Sequence, residues 1–98
     1  MTTEDRGLTD GEHHEAGMAV RRAVLSDAHV DAATASATEF TAPWQDFITR
    51  VAWGEVWSRP GLDRRSRSIA VLSSLIAHGH HEELAMHVRA ARRNGLTV

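Results

Sequence analysis

Glu55, Arg65 and His87 are ionisable side chains that fall on the apolar stripes of three consecutive helical segments. At about 100 degrees per residue, Trp44, Phe47, Ile48, Val51 and Ala52 share one helix face, and Glu55 lies within it. One helix therefore delivers a carboxylate to its own buried side. Desolvation there raises a carboxyl pKa, which suits a proton donor working near neutral pH. In the next segment Ile69, Leu72 and Ile76 form the stripe, and Arg65 precedes Ile69 by one turn, so its guanidinium can reach inward. In the segment after that the stripe is Leu84, Val88 and Ala91, with His87 beside it. Charged groups are seldom fully buried without partners, so a mutually satisfied cluster lining a pocket is the economical expectation. Each residue also has a structural reading: Glu55 as half of an ion pair, Arg65 as a snorkelling first-turn arginine, His87 as a satisfied core histidine.

His78, His80, His81, Glu83 and His87 form a histidine-rich corner. Gly79 interrupts the helix there and no fixed metal-ligand spacing is present, so a solvated helix start is expected and no metal. Trp53 and Trp57 fall opposite the Glu55 stripe, where they would pack against another helix or another subunit, or simply fill core.

Composition narrows the chemistry further. The 98 residues contain no cysteine, which excludes disulfides, thiolate metal sites and dithiol redox cycling. All 11 basic residues are arginine, so no lysine is present to form a Schiff base. With 13 acids against them, the chain has no nucleic-acid footprint. No apolar run approaches the roughly 18 residues of a membrane span, and the polar start is unlike a signal peptide. A cytoplasmic location is expected by default. A chain this short buries only about 60 to 65 per cent of its unfolded surface, so an oligomer is expected.

The elements that must position these groups are helical throughout. Residues 1–14 are polar and aperiodic and read as a flexible tail, followed by a single helical domain over 15–98. A first helix is expected from Glu15 to Leu25, and a second, capped by Asp27, carries Val30, Ala33 and Ala37. A long third helix should start near Thr41 or Ala42, tolerate Pro43 in its first turn, and end by Arg59 ahead of Pro60-Gly61. Asp63 should cap a fourth helix that stops at Gly79, and a fifth should run from His81 to Asn94 ahead of Gly95. The fold class is all-α, a single-domain bundle of about five helices. Leu96-Thr97-Val98 reads as the opening of a further helix, so the chain is expected to be short at its C-terminal end.

The stretches GMAVRRAVLSDAHVDAA, FTAPWQDFITRVAWGEVWSRPGLDRRSRSIAVLSSLIA and EELAMHVRAARRNGLT resemble the carboxymuconolactone decarboxylase family, within the wider alkylhydroperoxidase-like helical superfamily. WGEVWSRPGLDRRSRS is the specific block. Alkylhydroperoxidase-type relatives place a CxxC pair ahead of the histidine, where this chain has His80 and Glu83. The family also continues past NGLT with a last helix absent here. The resemblance implies a homotrimer or homohexamer and cofactor-independent loss of CO2 from 4-carboxymuconolactone, in the protocatechuate branch of the β-ketoadipate pathway. That substrate is a butenolide with two carboxylates, and its own lactone carbonyl accepts the electrons of the broken C–C bond, so no cofactor is required.

On that resemblance, Arg59 and Arg65 are the candidates to hold the retained carboxylate, Arg64 pointing off the stripe. Glu55 and His87 remain for proton transfer, with His87 as donor and Glu55 orienting it, or the reverse. Trp53 and Trp57 would seat the departing carboxylate in a drier environment. The competing readings are a non-catalytic or truncated helical oligomerisation module of the same fold, and a hydroperoxidase-like relative without its cysteines.

Overall fold

The computed structural model describes residues 7 to 97, and the first six residues of the expected tail and Val98 lie outside it. Among the described residues the elements are helical, α1 (Asp10–Leu25), α2 (Asp27–Ser36), α3 (Ala42–Ile48) continuing as a π-helical segment (Thr49–Val56), α4 (Arg64–His78) and α5 (His81–Arg93). The chain divides into two units, Met1–Arg59 and Pro60–Val98.

In the first unit α1 starts at Asp10, ahead of the expected Glu15. The cause is a reciprocal cap: the Thr9 hydroxyl accepts from the Glu12 amide at 3.1 Å, and the Glu12 carboxylate accepts from the Thr9 amide at 3.2 Å. The bond from the Thr9 amide is also the main cause that holds the Glu12 carboxyl below its usual range. The polar run from Asp10 to His14 is thus the first turn of a helix rather than tail. At the other end, Ser26 and not Asp27 caps α2, its hydroxyl accepting from the His29 amide at 3.2 Å. Ser26 adopts φ 97°, a conformation few side chains tolerate, to turn the chain between the helices. Val24, Leu25 and Val30 are buried at this corner.

The long third helix runs from Ala42 to Val56 as expected in extent but changes register at Thr49. The Thr49 hydroxyl donates to the Gln45 carbonyl at 2.8 Å, a back-bond that bends helices. The Trp57 amide reaches five residues back to Ala52 at 2.9 Å, the mark of the wider π turn. The expected stripe is found only in part, with Ile48, Val51, Ala52 and Glu55 half-buried. Trp44 and Phe47 are 60% and 47% exposed, with their rings stacked 5.9 Å apart, while Thr49, Trp53 and Gly54 are buried. The π segment packs against α1 backbone to backbone. A Cβ on Gly17 would collide with the Thr49 carbonyl oxygen and lie 2.8 Å from the Gly54 nitrogen.

In the second unit α4 and α5 form an antiparallel hairpin with the expected bounds. Asp63 accepts from the Ser66 amide at 2.7 Å, and Gly79 takes the left-handed conformation (φ 71°) that closes α4. Asn94, following α5, donates to the Ser68 hydroxyl at 3.0 Å and ties the far ends together. The face of α4 that turns inward carries Ser68 and Leu75, not the expected Ile69 and Ile76, which are exposed. On α5 the buried residues are Ala90 and Ala91, with Val88 exposed. The α4 stripe is offset by one position because Ser68 is polar, yet its hydroxyl accepts from Asn94 and is satisfied where it is buried, whereas Ala91 of the expected α5 stripe is buried.

Candidate active site

The π segment carries several of the expected site residues. Glu55 is half-buried near its end, and its charge adds to the field on Arg50, whose pKa is raised mainly by its hydrogen bond to Asp46. Trp53 is buried and Trp57 half-buried, their rings tilted at 38° with centroids 5.1 Å apart. The structure brings these two tryptophans together, as a platform beside a carboxylate-bearing turn. Arg59 follows in the closing turn, half-buried, its amide donating to the Val56 carbonyl at 3.2 Å. Wide π turns occur often where a helix must aim side chains at a functional site.

Arg65 and His87 belong to the second unit. Arg65 is exposed in the first turn of α4, and its aliphatic stem lies against Gly95, beyond the end of α5. The inward reach expected for it does not occur within this hairpin. The reason is the offset of the α4 face, which puts Ser68 rather than Ile69 inside. His87 is half-buried midway along α5, about two helical turns from Gly95. Within their hairpin, Arg65 and His87 thus sit at different levels.

Among the described residues no group of three His, Cys, Asp or Glu side chains is placed to hold a metal ion. His78 and His80 stack at 6.1 Å, and His80, His81, Glu82 and Glu83 border a shallow depression at the start of α5.

A second polar centre, absent from the sequence reading, lies in the first unit. Arg21 on α1 is only 6% exposed. Its Nη1 donates to the Thr49 hydroxyl at 3.3 Å and its Nη2 to the Gln45 side-chain oxygen at 3.0 Å, while its buried Nε has no hydrogen-bond partner. Burial pushes its pKa down. Arg21 lines a cleft of about 210 Å³ with Met18, Ala37, Gln45 and Thr49, and with His14 and Asp46 at the same cleft. A signal was available: His13, Gly17, Arg21 and Val24 recur at helical spacing on one face of α1. The neighbouring Arg22 points outward to Asp27 and Asp31.

With the helical architecture and these sites in view, comparison with known proteins defines the class. The model of the carboxymuconolactone decarboxylase family matches residues 42–98. The chain is 43% identical over 90 residues to 4-carboxymuconolactone decarboxylase of Acinetobacter baylyi, covering 92% of this chain and 67% of the relative. It is 47% identical over 81 residues to nitrosuccinic acid decarboxylase of Metarhizium robertsii, covering 83% of this chain and 57% of the relative. A 4-carboxymuconolactone decarboxylase sequence from Pseudomonas putida matches at 44% over 48 residues, 49% of this chain and 100% of that sequence. The chain belongs to the carboxymuconolactone decarboxylase family. It spans two thirds or less of the length of the first two relatives. No solved structure shows significant similarity to it. No helix among the described residues is long and apolar enough to cross a membrane.

Proposed function

We propose that this chain is a carboxy-lyase that removes CO2 from a small carboxylated lactone without a cofactor, 4-carboxymuconolactone being the first substrate to try. The carrying observation is the 43% identity to a decarboxylase of that name over nearly the whole chain. The second relative is named for nitrosuccinic acid, so the shared chemistry is loss of CO2 from a small organic acid, and the lactone is the finer assignment.

In this reading the ring carbon's bond to the leaving carboxylate breaks, and its electron pair moves through the ring double bond into the lactone carbonyl. CO2 departs and a dienolate remains. A proton delivered to the dienolate carbon gives 3-oxoadipate enol-lactone. The substrate supplies the electron sink; the protein supplies position, charge and the proton. Glu55 and His87 are each assigned to proton transfer, and Arg59 and Arg65 are each assigned to holding the retained carboxylate. The Trp53–Trp57 platform lowers the polarity around the carboxylate that leaves as neutral CO2.

A homotrimer or homohexamer accompanies this reading, since Trp44, Phe47, Ile69, Ile76 and Val88 are exposed in the single chain. We place it in the cytoplasm. The test is direct: the purified chain mixed with the lactone is followed by ultraviolet absorbance. Turnover well above the buffer rate is expected. A rate equal to buffer, in a folded protein, removes the enzymatic reading and leaves a helical assembly module.

A further inference from the structure

We propose that the Arg21 cleft is a binding site for a small organic monocarboxylate with a compact apolar body. Arg21 is a cation taken out of water without an anion to answer it. Its partners, Thr49 and Gln45, are neutral, and its Nε–H is buried and unbonded. Isolated buried charges are costly, and a protein normally pairs them. Here the space beside the guanidinium is an open cleft of about 210 Å³ instead of a carboxylate side chain.

Asp46 borders the same cleft but is occupied elsewhere. One of its oxygens accepts from Arg50 Nε at 2.9 Å, and the other lies 3.7 Å from His14 Nε2. Its charge nevertheless stands at the cleft, with His14 as the only other ionisable group besides Arg21 lining it. A single cation facing a rim carboxylate suits a monoanion and disfavours a doubly charged phosphate. Met18 and Ala37 supply apolar wall, which a carboxylate with a hydrocarbon body covers and an inorganic anion does not. The guanidinium fork matches a carboxylate in shape, and Thr49 and Gln45, which line the same cleft, hold it in place.

This site does not depend on the decarboxylase reading, because its probe, benzoate, carries no lactone and binding is read without turnover. The full chain is titrated with sodium benzoate by calorimetry and thermal melting, against sodium chloride at equal ionic strength and inorganic phosphate. Saturable binding of benzoate is expected, stronger than that of phosphate. Arg21→Met keeps the stem and removes the charge, and should weaken benzoate by at least about tenfold, as loss of a charge-assisted contact does. Ala37→Trp fills the cleft without touching Arg21 and should do the same if Arg21→Met fails to fold. Glu55→Gln should bind benzoate normally, whatever its effect on decarboxylation. The proposal is overturned by no benzoate binding, by equal binding to Ala37→Trp or a folded Arg21→Met, or by chloride or phosphate matching benzoate.

Discussion

Gly17 of α1 and Gly54 of the π segment lie against each other's helices so closely that neither has room for a Cβ. On Gly17 the added carbon would meet the Thr49 carbonyl oxygen, and on Gly54 it would come 2.5 Å from the His13 carbonyl oxygen. Both obstacles are backbone, so no side chain can swing aside. Alanine normally stabilises a helix over glycine by about 1 kcal/mol. At Gly17 the sign should reverse: Gly17→Ala is expected to cost about 1 to 3 kcal/mol, the range of overpacked contacts. Gly11→Ala, in the same helix with only the Thr9 hydroxyl 3.9 Å away, should be neutral or stabilising. Urea denaturation of the two variants side by side measures the difference, and equal effects would mean the helices do not cross here.

The proton-transfer assignment makes a kinetic prediction. Glu55→Gln and His87→Ala should each fold and melt near the parent temperature while decarboxylation falls by roughly a hundredfold or more, as for a lost general acid or base. Rates within a few-fold of the parent would return both residues to structural roles.

What could be read from the chain before its structure divides along physical lines. The bounds of α4 and α5 were legible because Asp63, Gly79 and Gly95 punctuate them with local chemistry that needs no tertiary partner. The early start of α1 was equally local, in Thr9 and Glu12, but it was obscured by the polar surface of the first turn. The faces were harder. A register of 100 degrees per residue does not hold through a π turn, and Thr49, Trp53 and Gly54 are the residues buried there, while Trp44 and Phe47 ahead of it are exposed. Ser68 and Arg21 are buried polar residues whose satisfaction depends on Asn94, Gln45 and Thr49, partners more than twenty residues away. Hydrophobicity patterns discount such residues. The candidate tryptophan pair and Glu55 were found on the segment expected of them. The Arg21 cleft, built from α1, α2 and α3 together, left only an arginine on an otherwise buried α1 face as its trace.

Thr49 joins the two halves of the first unit's polar core, so its hydroxyl should matter more than its size. It is 1% exposed, donates to the Gln45 carbonyl and accepts from Arg21. Thr49→Val keeps the shape and removes both bonds, leaving a buried cation less satisfied. A loss of about 1 to 3 kcal/mol is expected, the cost of an unmet buried polar group. Thr49→Ser, which retains the hydroxyl, should recover part of it. A valine variant as stable as the parent in urea would mean the Arg21 network contributes nothing to folding.

The cap of α4 sets a pH dependence with a definite sign. The backbone hydrogen bond from Ser66 holds the Asp63 carboxyl below the ordinary aspartate range. Its folded-state pKa is therefore depressed relative to the unfolded chain. The stability it contributes is present above the unfolded value and is lost as pH falls through the folded one. Asparagine at this position still caps the helix but carries no proton to gain. Circular dichroism at acid pH should therefore show Asp63→Asn losing less helix stability between neutral pH and the carboxylate range than the parent does, with the two alike in fold at neutral pH. Parallel acid profiles for both proteins would mean that the Asp63 charge plays no part in holding the start of α4.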